Sequence, residues 1–423
     1  MNDGKVLIKM IFKKVYILLF LLVFPIPDSF SKTIEVGKSL NITSISAAII
    51  IANNDDTILV YEGIYKEGNI VINKSIFLKG INLPVLDGQK KFEIISVKAN
   101  DVIIEGFKIQ HSGFATLDDP GAIKVYDSRN VIIRNNRLYD NFFGIYLQYS
   151  VNCLVKNNYI EAYGVEEQQI GNGIHCWKSD SLQIIGNTCI GHRDGIYFEF
   201  VTHSVIWKNS AVNNIRYGLH FMFSNDDAYI SNIFKGNGAG VAVMFTKRVI
   251  MMNNTFEQNW GDASYGLLLK EISDSHIIKN MFVKNTVGIF MEGTNRIFVE
   301  NNIFESNGWG FKIQASCMDN IITANNFIGN TFDITTNGSL VLNSFDGNYW
   351  DKYEGYDLDK NNKGDIPYHP ISMFSMIVEN NPPAMLLFRS FMVSLLDKSE
   401  KIIPSLTPDD FRDDTPLMHS LVL

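Results

Sequence analysis

From about Asn135 to Asn330, short apolar runs alternate with polar turns at a regular beat. An asparagine-rich turn is followed by a second asparagine and then by Gly-apolar-x-apolar-x. The glycines that open this unit are Gly144, Gly173, Gly195, Gly218, Gly240, Gly266, Gly288 and Gly310, separated by 29, 22, 23, 22, 26, 22 and 22 residues. A period in the low twenties with no helical pattern between the apolar runs predicts an all-β solenoid, a right-handed parallel β-helix.

Alternation with period two assigns each strand residue to a face. After each glycine the first and third positions are mostly apolar, as in Ile145/Leu147, Ile196/Phe198, Leu219/Phe221 and Val241/Val243, and are predicted to stack inside the coil. Asparagines such as Asn136, Asn158, Asn187, Asn209 and Asn232 recur at the preceding turn and predict a structural ladder, because Asn tolerates left-handed backbone and bonds neighbouring backbone. The second and fourth positions face outward. One column reads Tyr146, His175, Tyr197, His220, Ala242, Leu268, Phe290, Lys312, and its neighbour Gln148, Trp177, Glu199, Met222, Met244, Lys270, Glu292, Gln314. A sheet face has no structural need for this density of aromatic, His and Met side chains, so this face is expected to bind something or to be covered. Tyr146, His175, Trp177, Tyr197 and Glu199 form the candidate binding face.

The flanks of the repeat read as caps. Ser44 to Ala52, preceded by Asn41 and Thr43, predicts a short amphipathic helix over the open N-terminal end, where bare strand edges invite pairing. Less regular strands run from Ile70 to Gln110, and surface loops are expected at His111 to Pro120 and Glu161 to Asn172. Residues 1–31 resemble a cleaved export signal: Lys5, Lys9, Lys13 and Lys14 precede the apolar run Val15 to Phe24, with cleavage placed after Ser31. The retained alternative is an uncleaved anchor. Either puts the folded part outside the cytoplasm. The expected organisation is a β-helix with its N-terminal cap over 32–346 and a C-terminal cap and partner-docking tail over 347–423.

With 423 residues, 46% apolar and 19% charged, the chain is globular, and a solenoid of this length counts as one long domain. The net charge of −8 and the absence of a Lys/Arg cluster beyond the N-terminus argue against nucleic-acid binding. Cys153, Cys176, Cys189 and Cys317 are scattered and read as buried free thiols.

Three constellations carry candidate chemistry. His220, Met222 and Met244 supply imidazole and thioethers, donors that suit Cu(I). Alternate residues on a strand lie about 6.6 Å apart and adjacent coils about 4.8 Å, so Met222 and Met244 are neighbours while His175 stands about 10 Å from His220. A sugar-binding groove with Glu199, Asp194, Asp226, Asp227 or Glu292 as acid and base is the second reading. No compact acidic cluster supports it, and no catalytic residue is assigned. Asp357, Asp359 and Asn361 have the spacing of a calcium loop but lack its glycine and closing Glu, so an Asx-rich turn without metal is expected. Tyr349, Trp350, Tyr353 and Tyr356 are expected to plug the C-terminal end of the coil.

The stretch Asn348-Tyr349-Trp350-Asp351, Tyr353-x-Gly355-Tyr356-Asp357, Gly364-Asp365 and Pro367-Tyr368-x-Pro370 resembles the C-terminal signature of the NosD family of periplasmic copper-binding β-helix proteins. The tail adds Pro383-Ala384-Met385-Leu386-Leu387, Arg389-Ser390-Phe391, Ile403-Pro404-Ser405-Leu406 and Asp414-Thr415-Pro416-Leu417-Met418. The resemblance implies a non-catalytic accessory protein for nitrous oxide reductase. Such a protein is held on the outer face of the inner membrane by an ABC-type permease and its ATPase, and it serves copper delivery together with a copper chaperone. The turn Asp357 to Asp365 departs from the family, with Lys and Asn in place of a more acidic, glycine-richer run. The tail Ala384 to Leu396 is apolar and of short-helix length, with Leu386, Leu387, Arg389 and Phe391 as candidate docking residues; Arg389 argues against immersion in lipid. A polysaccharide lyase, epimerase or hydrolase, or a carbohydrate-binding scaffold, remains the alternative.

Overall fold

A computed structural model of the chain describes residues 31–114, 119–338, 342–402 and 411–422. All of the expected export segment except Ser31 lies outside them. The rest is a right-handed parallel β-helix of about 13 turns. Each coil contributes one strand to each of three parallel sheets, of 14, 13 and 12 strands, here called A, B and C. Strands stack in phase: Ile145 pairs with Ile174, which pairs with Ile196, and then Leu219 and Val241.

The inward positions behave as the alternation requires, and Ile145, Leu147, Cys176, Phe198, Leu219 and Val243 are fully buried. Sheet B adds an inner ladder of Phe234, Phe256, Phe282, Phe304, Phe327 and Trp350, with successive ring centroids 5.4, 4.6, 4.9, 4.7 and 4.2 Å apart. The repeated glycines follow from crowding at the entry to sheet C. A Cβ on Gly218 would stand 2.7 Å from the carbonyl oxygen of Gly240 in the next coil. All four cysteines are buried as free thiols.

The asparagine ladder closes the corner between sheets A and B. Asn187 donates its backbone N–H (2.8 Å) and its Nδ2 (3.0 Å) to Oδ1 of Asn209, and uses the same Nδ2 to bond the carbonyl of Val155. Asn209, Asn232, Asn254 and Asn280 repeat the arrangement. A second ladder through Asn214, Asn237, Asn259, Asn285 and Asn307 closes the next corner. Each amide satisfies buried backbone groups that would otherwise cost about 1–3 kcal/mol.

At the N-terminal end the helix α1 (Ile45–Ile51) lies over the coil and buries Ile45, Ala48 and Ile49. Its N-cap is Ser44, since the side chain of that residue accepts from the N–H of Ala47; neither Asn41 nor Thr43 takes that place. The carboxylate of Glu67 accepts from the first-turn N–H groups of Ile45 and Ser46, and Lys74 donates to the last carbonyls, Ile49, Ile50 and Ala52. Opposite charges thus sit at the ends of the helix dipole that each favours.

The last sheet strand is Tyr349–Trp350. Trp350 plugs the coil against Phe327 and Tyr368, and Tyr353 packs on Tyr368. Tyr349 is half-buried at the rim and Tyr356 is exposed, so the expected four-residue plug is made by Trp350 and Tyr353 with Tyr368 instead. The chain then returns across the outward face of sheet C as helix α2 (Met373–Asn380), a 3-10 turn (Pro382–Leu387) and helix α3 (Phe391–Ile402). The single short helix expected over Ala384 to Leu396 is therefore divided. Pro382 and Pro383 open the 3-10 turn, Arg389 turns left-handed at φ 63°, and Ser390 caps a new helix by accepting from Val393.

Candidate functional site

Sheet C carries its distinctive side chains on strands Asp194–Glu199, Tyr217–Met222 and Ala239–Met244 and the coils before them. Outward residues of adjacent coils stand one strand spacing apart, which brings rings into contact. Tyr146 and His175 have centroids 4.3 Å apart, His175 and Tyr197 4.8 Å, and Tyr197 and His220 4.9 Å; Lys124 Nζ caps the row 4.7 Å from the Tyr146 ring. Phe143 and Tyr217 flank it at 5.2 Å from His175 and 4.8 Å from His220. The four-ring column is at most 9% exposed although it points away from the core. In these coils the dense face covers itself, while near the C-terminal end α2 covers it, with Glu379 bonding Lys312 at 2.8 Å and Phe374 packed on Phe332.

Beside the rings lies a buried polar network. Asn172 Nδ2 is 2.9 Å from His175 Nδ1, and Arg193 Nε donates to Asn172 Oδ1 at 3.3 Å. Burial and the nearby Arg193 push the His175 pKa down to about 3, so the ring is neutral. One coil on, Arg216 grips fully buried Asp194 through Nε (2.9 Å) and Nη2 (2.6 Å), and His220 Nδ1 lies 3.5 Å from Asp194 Oδ2. At that distance the contact is not a well-formed hydrogen bond, and neither ring nitrogen of His220 has a hydrogen-bond partner. Burial alone would raise the Asp194 pKa, but His220 and Arg216 outweigh it and hold the carboxylate below its usual range.

The next outward column is half-buried and open to solvent. Trp177, Glu199, Met222 and Met244 are successive register partners. The Tyr197 hydroxyl lies 3.6 Å from Met222 Sδ and donates to it. Burial, with the charges of Glu199 and Asp194, raises the Tyr197 pKa, so it stays a phenol. Met222 and Met244 are thus adjacent, His220 precedes Met222 by two residues on the same face, and small Ala242 is the register partner of His220. His175 is separated from His220 by the Tyr197 ring. Among the described residues no three His, Cys, Asp or Glu side chains converge. A soft cation here would therefore draw on the thioethers.

The remaining carboxylates are dispersed. Glu292 lies 3.4 Å from Lys270, and Asp226 is paired with Arg248. Asp227, expected in the same turn as Asp226, points into the coil corner, where burial raises its pKa to about 8 and Oδ2 has no partner. Asp357 accepts from the N–H groups of Asn361 and Asn362, and Asp359 from Asn361, so this loop uses its oxygens on its own backbone. The Asn172–His175 and Asp194–Arg216 pairs went unseen in the sequence. Their signal was that Asn172 and Asp194 occupy, just before the glycine, a column otherwise filled by Phe143, Tyr217, Ala239, Tyr265, Val287 and Trp309.

On the tail, Leu386 is 91% and Phe391 83% exposed, and Leu387, Met392 and Leu395 continue an apolar edge; Arg389 is exposed at the break. Among the described residues no helix is long and apolar enough to cross a membrane.

The family profile described as "Periplasmic copper-binding protein (NosD)" matches residues 159–355, which include the polar network and both methionines, and one described as "Right handed beta helix region" matches 34–170. A protein of Pseudomonas aeruginosa described as "Probable ABC transporter binding protein NosD" is 28% identical over 367 residues, 83% of this chain and 86% of that one. Its namesake from Stutzerimonas stutzeri is 29% identical over 369 residues, 83% and 84% of the two chains. Among solved structures, the catalytic unit of a GH87 α-1,3-glucanase from Streptomyces thermodiastaticus superposes with TM-score 0.61 at 12% identity, over 78% of this chain and 70% of that one, a likeness of fold.

Proposed function

We propose that the chain, which the NosD family profile matches over residues 159–355, is a NosD protein: a non-catalytic periplasmic partner of an ABC-type permease and its ATPase, serving copper-centre assembly of nitrous oxide reductase with a copper chaperone as donor. The family profile is described as periplasmic and copper-binding, and the relatives as ABC transporter binding proteins. The observation that carries the finer reading is the placing of Met222 and Met244 side by side at the solvent edge, next to the buried His220 ring, whose nitrogens have no hydrogen-bond partner. These donors fit Cu(I) as cargo: two thioethers and an imidazole bind a soft cation without charge and release it readily. The Asp194–Arg216 pair positions the His220 ring, and Tyr197 holds Met222.

The apolar edge at Leu386, Leu387 and Phe391, with Arg389 beside it, is the surface that docks the permease on the outer face of the inner membrane. This makes 347–423 a cap and docking tail. A non-catalytic role is supported by the carboxylates. Asp194 and Asp226 are held by arginines, Glu292 is held by Lys270, and Asp227 is buried.

The test is competitive Cu(I) titration of the purified protein against a chromogenic chelator, with and without Met222→Leu/Met244→Leu. One ion retained by the wild type and lost by the folded double variant is expected. Equal binding by both removes the residue assignment. Oligosaccharide binding indifferent to copper favours the carbohydrate-binding alternative.

A further inference from the structure

The outward face of sheet A has no part in the site above, and its pattern is unlike that of sheet C. In its third column Ile185, Trp207, Ile230, Met252 and Ile278 stand in unbroken register between Lys156 and Glu300, and the column continues beyond these to Arg134 and Thr323. The first column of the same strands runs from Leu154 to Phe298 through Val205, Ala228 and Ile250, with Gln183 and His276 each one coil in from an end. Trp207, Val205 and Phe298 are exposed and the other apolar members half-buried, so seven coils present one flat apolar stripe whose third column is bounded by charge, while the first continues into Ile132 and Ile321. Stripes of this kind on soluble proteins mark association surfaces.

We propose that this face is a self-association surface and that its occupant is a second copy of the chain, docked with reversed coil order. A two-fold axis lying in the plane of the face, along the strands, reverses the coils and sets each column against itself. Lys156 then meets Glu300 of the second copy, Ile185 meets Ile278, Trp207 meets Met252, and Ile230 meets its own mate. In the first column Leu154 meets Phe298, Gln183 meets His276 and Val205 meets Ile250. The turn after the strands obeys the same symmetry without a clash of like charge, since Lys208 meets Asn253 and Lys279 meets Gly186; on the turn before them Asp226 meets its own mate, each carboxylate being paired with Arg248 of its own chain. The palindrome of polarity is what selects a copy over an unrelated protein, since a heterologous partner requires no mirror order along the coil. Seven coils at about 4.8 Å span about 30 Å, and with a strand width of about 13 Å the dimer buries roughly 800 Å² in all, the size of a weak, concentration-dependent contact. This inference is independent of the copper reading, because sheet C and the C-terminal helices stay free.

The experiment is sedimentation velocity on the purified full chain from about 1 μM to about 300 μM, with the variants Trp207→Glu, Lys156→Glu and Lys156→Glu/Glu300→Lys. A monomer–dimer equilibrium is expected, lost in Trp207→Glu, weakened about tenfold in Lys156→Glu and restored by the charge swap. Circular dichroism verifies that each surface variant remains folded. Monomer at every concentration overturns the proposal, as does a dimer indifferent to these changes or a swap that fails to restore it.

Discussion

Asn348, the last rung of the asparagine ladder, gives its backbone N–H to Oδ2 of Asp413 at 2.9 Å, across 65 residues of chain. The same carboxylate accepts from Asn348 Nδ2, Trp350 Nε1, and the N–H groups of Gly347 and Thr415. Asp413 is fully buried and ends the ladder that each earlier asparagine passes on. Asp413→Ala strands these donors, and a loss of about 3–5 kcal/mol is expected by chemical denaturation. Hydrogen exchange in that variant should speed up first around Gly347 to Trp350. Uniform exchange along the coil would contradict the seal.

Asp194→Asn leaves the Arg216 guanidinium half-buried beside a neutral amide. A loss of about 2–4 kcal/mol at pH 7 is expected. The Asp194 pKa is depressed in the folded state, so its stabilisation is complete above the normal carboxylate range and disappears as pH falls through the folded value. The difference between wild type and variant should therefore shrink on acidification, as measured by urea midpoints at pH 7 and pH 3.

Asp227 and His175 act in opposite directions. Asp227, raised to about 8, makes stability fall as pH climbs from the normal carboxylate value towards 8, because the unfolded chain has already released the proton that the folded chain keeps. His175, lowered to about 3, makes stability fall as pH drops below the normal imidazole value, since only the unfolded chain takes up the proton. Above about pH 6.5 only the Asp227 effect remains of the two. Asp227→Asn keeps an oxygen for the Ser204 N–H. It should flatten the decline in melting temperature between about pH 6.5 and 8, a difference of up to about 2 kcal/mol across that window.

Leu386→Ser and Phe391→Ser change side chains that are almost wholly in solvent, so stability should move by less than about 0.5 kcal/mol. Co-purification with the permease and ATPase should nevertheless drop at least about tenfold if these residues anchor the contact. Full retention of the complex would reassign the docking surface.

The features that local alternation and turn chemistry control were legible in the sequence. Ile145 and Leu147 had to face inward and the asparagines had to bond neighbouring coils, because strand geometry and Asn backbone preferences act within a few residues. The α1 cap was legible for the same reason, and the apolar tail was visible as composition. What the tertiary structure decided depends on which residues lie one coil apart. His175, Tyr197 and His220 point outward yet are buried, because rings one strand spacing apart shield one another. Asp194 finds Arg216 22 residues later, and Asp413 finds Asn348 from beyond two helices. Register, set by loops of unequal length, brings such pairs together, and no alternation within one strand reports it. The face on which Met222 and Met244 lie was thus written in the sequence, while the buried cluster of His220, Asp194 and Arg216 beside them exists only once the coils are stacked.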